Sequence, residues 1–214
     1  MAVRINVGCG ATPTNGWQNF DNSLTVRLAG VPLARYLIPD SPFAAAAKRG
    51  DVRYASALSL PVGDASAEVV YSSHMLEHLD RDEAKAFLAE CRRVLQPGGV
   101  LRLAVPDLRL IVDEYLSLDD ADNMVARTAL GRMRPIGLRG RIKSFVVGER
   151  SHMWMYDGQS LARLVEQSGF DNPEIMAPGM TRIPDPGPLD LEERCDESVY
   201  VEAVRPVGES QRTT

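Results

Sequence analysis

Short apolar runs alternate with segments of helical periodicity through the first half of the chain, and this alternation constrains the fold most. The strand-length runs are residues 3–7, 17–20, 52–55, 68–73 and 100–105. Such an order predicts βαβ units and therefore a parallel sheet of the α/β class. A chain of 214 residues, 44% hydrophobic, can bury one full core. We therefore predict one domain over residues 1–206 and a disordered tail over 207–214.

Capping residues indicate where the helices begin and end. Asp80, with Glu83 three positions on, matches a capping box and opens a helix that the Gln-Pro-Gly-Gly sequence at 96–99 would end. Asp107 is predicted to cap the next helix, and Gly169 to stop a later helix over 157–168. Segments 173–177 and 198–204 are the candidate final strands.

Two segments interrupt the regular pattern. In residues 24–50, prolines at 32, 39 and 42 break any long helix, so we expect short helices forming a lid or insertion over a pocket. Residues 119–151 are expected to form a variable excursion whose basic side chains outnumber its acids. These are Arg127, Arg132, Arg134, Arg139, Arg141, Lys143 and Arg150. Such a run indicates a solvated face or mobile loop, or else a surface that steers an anionic acceptor.

Composition and charge argue against several protein classes. A net charge of −5 disfavours an obligate nucleic-acid binder. The three cysteines are widely spaced, which predicts neither a disulfide framework nor a zinc ribbon and fits a reducing cytoplasm. The first residues enter a strand pattern directly, and no apolar run has the length of a membrane span. We therefore expect a soluble, cytoplasmic protein.

A glycine turn with an acid after the next strand predicts a nucleoside site. Gly8 and Gly10 follow the first apolar run, so backbone N–H groups there can approach a ligand closely. Asp21 ends the second run, where a carboxylate can accept hydrogen bonds from two ribose hydroxyls. Pro13 replaces the third glycine of a dinucleotide fingerprint, and Asp21 follows Gly10 by only eleven positions. The pattern therefore favours a cofactor without phosphates, with a nicotinamide enzyme as a weaker alternative.

Four stretches resemble the type 11 family of class I S-adenosylmethionine (SAM)-dependent methyltransferases. They are INVGCG, GWQNFDNS, LSLPVGDASAEVVYSSHMLEHL and RRVLQPGGVLRLAVPDL, which occur in the family's order over residues 3 to 118. The resemblance implies a Rossmann-like, doubly wound, seven-stranded sheet, mostly parallel with an antiparallel last strand. It also implies SAM as cofactor and methyl transfer as the activity.

The same resemblance implies roles for individual residues at the cofactor site. Gly8, Cys9 and Gly10 would line the methionine end of SAM, and Asp21 would hold the ribose. Ser56, Ala57 and Leu58 would contact the adenine, and Ser73 would complete the site. Ser56 stands where many relatives have an aspartate that recognises the adenine amino group, so the adenine side is expected to bind differently.

The three histidines all lie in segments that resemble motifs. His74 and His152 are the candidate catalytic residues, because an imidazole can accept a proton from an attacking hydroxyl or amine. A structural polar contact is the alternative for His74, and anchoring of the next helix is the alternative for Glu77 and His78. Some O-methyltransferases of this fold carry Glu-x-x-Glu-His here and bind magnesium. The resemblance thus implies a metal at His74, Glu77 and His78, with His152 as a further ligand and a preference shifted towards zinc, manganese or iron.

Several functions remain compatible with these motifs. The first is O-methylation of a small-molecule or sugar hydroxyl, with a small molecule or glycan as acceptor. N-methylation of a small molecule is the nearest alternative. A SAM-binding regulatory or partner subunit is the alternative from outside the enzymes.

Overall fold

Seven strands form one mixed sheet in a computed structural model that describes residues 3–33, 36, 38, 40–130 and 151–208. The strands are β1 (Val3–Val7), β2 (Gln18–Asp21), β3 (Val52–Tyr54), β4 (Ala67–Ser73), β5 (Leu95–Pro106), β6 (Asp171–Met176) and β7 (Ser198–Val204). Their order is β3-β2-β1-β4-β5-β7-β6, and only β7 runs antiparallel to its neighbours. The predicted doubly wound sheet with an antiparallel last strand is confirmed.

Six α-helices connect the strands within the described residues. They are α1 (Leu24–Ala29), α2 (Pro42–Arg49), α3 (Arg81–Val94), α4 (Leu108–Leu118), α5 (Ala121–Thr128) and α6 (Gly158–Gln167). Asp80 caps α3 through a complete capping box with Glu83, and Asp107 and Asp157 cap α4 and α6. These caps satisfy N–H groups that have no partner inside a helix. The predicted helix starts at 80 and 107 are confirmed.

The fifth strand starts earlier than predicted. Residues 96–99 were expected to be a turn before a strand at 100, but Leu95 already pairs with Ala67 directly after α3. The Gly98 N–H donates to the Arg205 carbonyl, so the Gln-Pro-Gly-Gly segment is held as an irregularity within β5. Gly98 has φ +78, a conformation that glycine adopts without steric cost.

Each face of the sheet buries a different set of side chains. One face packs against α3 and α6 in the largest core cluster, with Phe87 and Leu161 completely buried. The opposite face is smaller and packs Trp17 and Tyr71 against Ile183. Trp17 and Phe20 are both buried in the core. Near the edge at β3, residues of α1 and α2 pack with Cys9 and Val52.

The loop 177–197 covers the face that a helix after β1 would cover in a regular βαβ unit. Residues 8–17 contain no helix, and the loop's Ile183 and Leu189 pack on this face instead. The loop is held on the sheet by a completely buried ion pair between Arg102 on β5 and Glu202 on β7, which are 2.7 Å apart. Arg102 donates to the carbonyls of Met180 and Leu191. The loop is therefore anchored by the charged pair as well as by apolar burial.

Some sequence expectations fall on residues outside the described ranges. Arg127 lies in α5 and pairs with Glu114 at 2.7 Å, but the other six basic residues of the predicted excursion lie in 131–150. Residues 209–214 of the predicted tail also lie outside the described part. Residues 24–50 contain two short helices, as expected.

Candidate functional site

The glycine turn lies at the carboxyl end of β1, next to β4, where the direction of strand succession reverses. Open α/β sheets bind ligands at this switch point. The N–H groups of Gly8 and Cys9 both donate to the Phe20 carbonyl, at 2.8 and 3.2 Å, which joins the turn to β2. A Cβ on Gly8 would lie 2.4 Å from Cγ of Met75, whereas one on Gly10 would have no protein atom within 4 Å. Packing requires glycine at 8, and the space beside Gly10 is open to a ligand.

Asp21 is placed at the carboxyl tip of β2, beside that turn. Its Oδ2 accepts from the Gly10 N–H at 3.1 Å, and its Oδ1 accepts from the Ser23 N–H at 2.8 Å. Burial, with a contribution from Asp21, raises the pKa of the Cys9 thiol to about 12. Cys9 is therefore a protonated lining residue at neutral pH and not a nucleophile.

The candidate adenine residues lie directly beyond β3. The Ala55 N–H donates to the Asp21 carbonyl at 3.2 Å, so residues 56–58 follow immediately beside the acid. Ser56 Oγ accepts from the Leu58 N–H at 3.2 Å and shapes a tight turn. The Leu58 side chain is exposed, while Ala57 packs against the core. An exposed apolar side chain beside a carboxylate is a suitable surface for a nucleoside, whose base could contact the apolar group and whose ribose could contact the carboxylate.

The end of β4 brings Ser73 and His74 to the same edge. Ser73 closes the strand opposite Ala104, and His74 follows with φ +48. His74 Nδ1 lies 3.0 Å from the Arg194 guanidinium, and Nε2 lies 2.8 Å from Ser198 Oγ. Since the guanidinium can only donate, Nδ1 accepts, and Nε2 carries the proton that it donates to Ser198. Burial, assisted by Arg194, lowers the pKa of His74 to about 3, so the ring is neutral.

A second cluster lies behind His74, in the short 3₁₀ helix Leu76–His78. The Glu77 carboxylate is 1% exposed, and Oε1 lies 4.0 Å from Nε2 of both His78 and His152. The Glu77 carbonyl accepts from the N–H groups of Met153 and Trp154, which brings the distant His152 to this helix. Burial raises the pKa of Glu77 to about 7.

The composition of this cluster differs from the metal set expected from sequence. Ligand atoms of Glu77, His78 and His152 lie within 4.8 Å of one another, and His74 is not part of the group. His74 Nδ1 does approach Glu77 Oε1 to 3.6 Å, but Arg194 already donates to that nitrogen. His74 and His152, expected together at the acceptor, therefore have different neighbours.

Sequence reasoning missed the contribution of loop 177–197. Glu193 Oε2 accepts from the Tyr71 hydroxyl at 2.7 Å, and its Oε1 accepts from the Thr12 hydroxyl at 3.2 Å, beside the glycine turn. The neighbouring Arg194 contacts His74. The only signal in the sequence is the acidic segment before the last strand, DLEERCDE.

Comparisons with known proteins agree with the fold. A family model described as a methyltransferase domain matches residues 5–103, which include the glycine turn, Asp21 and His74. Over these residues the chain is similar to the SAM-dependent methyltransferases. Two solved SAM-dependent methyltransferases share the fold, each with a TM-score of 0.52 and with 96% of this chain covered. The Thermotoga maritima methyltransferase is 14% identical with 83% of its chain covered, and the Methanosarcina mazei methyltransferase is 15% identical with 93% covered.

An O-methyltransferase of Aspergillus sclerotiorum is 34% identical over 110 residues, which cover 50% of this chain and 39% of the relative. The chain spans less than half the length of the curated relatives it matches. Among the helices of the described segments, none is long and apolar enough to cross a membrane.

Proposed function

We propose that the protein transfers a methyl group from SAM to a hydroxyl of a small molecule or sugar. The observation that carries the proposal is the hydrogen bond between the Gly10 N–H and Asp21 Oδ2, 3.1 Å long, at the switch point of the sheet. His74 lies nearby, directly after the adjoining strand β4. The similarity to a fungal O-methyltransferase supports oxygen over nitrogen as the acceptor atom.

The charge around the turn suits SAM. Two carboxylates, Asp21 and Glu193, face the turn, which disfavours a pyrophosphate and favours a ligand that carries positive charge. SAM carries positive charge on a sulfonium and an ammonium group. When bound, it supplies a methyl group that is attached to the sulfonium, which is a good leaving group. Asp21 would accept hydrogen bonds from the ribose hydroxyls, and Gly8, Cys9 and Gly10 would line the methionine end. Glu193 would hold the ammonium.

The adenine would lie along residues 56–58, with Leu58 providing an apolar contact. Ser73 would close the cofactor site at the end of β4. The chain's own contribution to methyl transfer is alignment of the acceptor with the sulfonium and exclusion of water.

His74 is proposed to orient the acceptor rather than to remove its proton. Its Nδ1 is occupied by Arg194, and its neutral ring has a low affinity for protons. The Nε2–H that reaches Ser198 can instead donate a hydrogen bond to an acceptor oxygen if Ser198 rotates away. His152 is the other candidate on this side, and its pKa is lowered by burial, which also keeps it neutral.

Calorimetry with SAM and S-adenosylhomocysteine, followed by methyl transfer to matched alcohols and amines, tests the proposal. We expect both ligands to bind and the alcohols to be methylated. Asp21→Ala should weaken binding by about 1–3 kcal/mol, because charge-assisted hydrogen bonds to the ribose are lost.

No binding of either ligand by folded protein would end the proposal. Binding with transfer only to amines would favour N-methylation. Binding without any turnover would favour a regulatory or partner subunit.

A further inference from the structure

The turn at residues 56–59, which contains the candidate adenine contacts, is exposed, whereas the residues on either side of it are buried. Ala55 and Leu60 are 7% and 4% exposed, and Ser56 and Leu58 between them face solvent. The Ser56 hydroxyl oxygen already accepts from the Leu58 N–H at 3.2 Å. The turn therefore offers a base mainly its backbone groups and the Leu58 side chain, so the position of its backbone decides how well a base fits.

The exit from this turn is held by two charged side chains of α3. The Leu60 N–H donates to Glu90 Oε1 at 2.5 Å. Arg93, one helical turn further on, donates to the carbonyls of Leu60 and Val62 at 3.1 and 3.0 Å. Three hydrogen bonds of the loop backbone thus end on a single turn of α3.

Glu90 and Arg93 also form a bidentate pair with each other. Arg93 donates through Nε to Glu90 Oε2 and through a terminal nitrogen to Oε1, both at 2.7 Å. Hydrogen bonds from Arg93, together with the one from the Leu60 N–H, hold the pKa of Glu90 below its usual range, so the carboxylate is ionised at neutral pH. Bidentate, charge-assisted pairs of this kind fix geometry as well as adding energy. With Glu90 only 10% exposed, the pair is a firm support for the loop.

We propose that Glu90 and Arg93 are positioning residues for adenine, which hold residues 56–60 in the conformation that receives the base. This inference rests on the proposed function, since it takes residues 56–58 as the adenine contact. A loop that populates its binding conformation only about a tenth of the time binds its ligand about tenfold more weakly. Loss of the support should therefore weaken the binding of ligands that contain adenine and spare a ligand that lacks it.

The test compares three ligands on full-length Glu90→Gln and Arg93→Lys variants. S-adenosylhomocysteine and 5′-methylthioadenosine contain the base and are followed by calorimetry. S-ribosylhomocysteine keeps the ribose and the amino acid but lacks the base, and ligand-observed NMR detects its binding even at millimolar affinity. We expect both variants to bind the two adenine ligands roughly 5–20-fold more weakly and to bind S-ribosylhomocysteine as wild type does.

Asp64→Asn is the matched control. Asp64 also pairs with Arg93, but it is 79% exposed and lies beyond the supported residues, so its loss should change the affinity of none of the three ligands. Hydrogen exchange gives a readout without any ligand: the Leu60 amide should exchange faster in Glu90→Gln than in wild type or in Asp64→Asn.

Circular dichroism verifies that each variant is folded, and Arg93→Lys carries the test if Glu90→Gln does not fold. Equal losses for all three ligands would show general damage to the site and would overturn the positioning role. Unchanged affinities for the adenine ligands in the folded variants would overturn it as well. Wild-type protein that binds neither adenine ligand would instead refute the proposed function, and with it the adenine contact at residues 56–58.

Discussion

Replacement of Arg102 by methionine should cost the protein about 3 kcal/mol of unfolding free energy. Arg102 and Glu202 are both 0% exposed and 2.7 Å apart, so the substitution leaves a buried carboxylate without its counter-charge. Breaking a buried pair in this way costs about 3–5 kcal/mol. Two donors to Glu202 survive, the Thr181 hydroxyl and the Arg182 N–H, which places the expected cost at the lower end.

Urea unfolding followed by circular dichroism measures this cost, and a double variant isolates its cause. Arg102→Met combined with Glu202→Leu should recover most of the loss, because replacing both members of a buried pair by apolar residues is often close to neutral. Arg49→Met is the control for losing an arginine from a surface pair, since Arg49 and Asp51 are 62% and 45% exposed. That change should cost less than about 1 kcal/mol. A loss below about 1 kcal/mol in Arg102→Met would refute the argument that the pair anchors the loop.

The remaining predictions concern the glycine turn and Glu193. Gly8→Ala should lower the unfolding free energy by about 1–3 kcal/mol, because its Cβ would meet Met75 Cγ at 2.4 Å. A Cβ at position 10 would meet no protein atom within 4 Å, so Gly10→Ala should lower the thermal unfolding temperature less than Gly8→Ala does. Glu193→Gln should weaken S-adenosylhomocysteine binding by about tenfold or more, as expected for a hydrogen bond to an ammonium. Binding of 5′-methylthioadenosine, which lacks the amino acid, should not change, and Glu192→Gln should affect neither ligand. Equal losses for both ligands would show that Glu193 acts only by placing its loop.

The strands and helix starts could be predicted because their causes are local. The β-branched run before His74 and the acid pair at 80 and 83 act within a few residues, so periodicity and capping reveal them. The positions of Gly8 and Asp21 could be predicted equally well, since they lie at the carboxyl ends of the first two strands. The start of β5 was misjudged because Gln-Pro-Gly-Gly is a turn signal locally, while pairing with Ala67 and the end of β7 extends the strand through it.

The contacts that complete the site could not be predicted, because they join residues far apart in sequence. Glu193 meets Thr12 across 181 positions, and Arg194 meets His74 across 120. No periodicity or motif links such residues. His152 was singled out because its segment resembled a motif, yet its position beside Glu77 depends on a strap whose hydrogen bonds form only in the folded chain.

The missing helix after β1 explains why one loop connects the two halves of the site. Loop 177–197 covers the sheet face where that helix would lie, and the buried pair at 102 and 202 holds it there. The consecutive residues Glu193 and Arg194 then reach in two directions, towards the glycine turn and towards His74. His74 and Arg194 both have positive φ, +48° and +54°, and such backbone strain persists only where surrounding contacts enforce it. A ligand that binds Glu193 would therefore act on the same short segment that contacts His74, and under the proposed function this would link cofactor binding to the orientation of the acceptor.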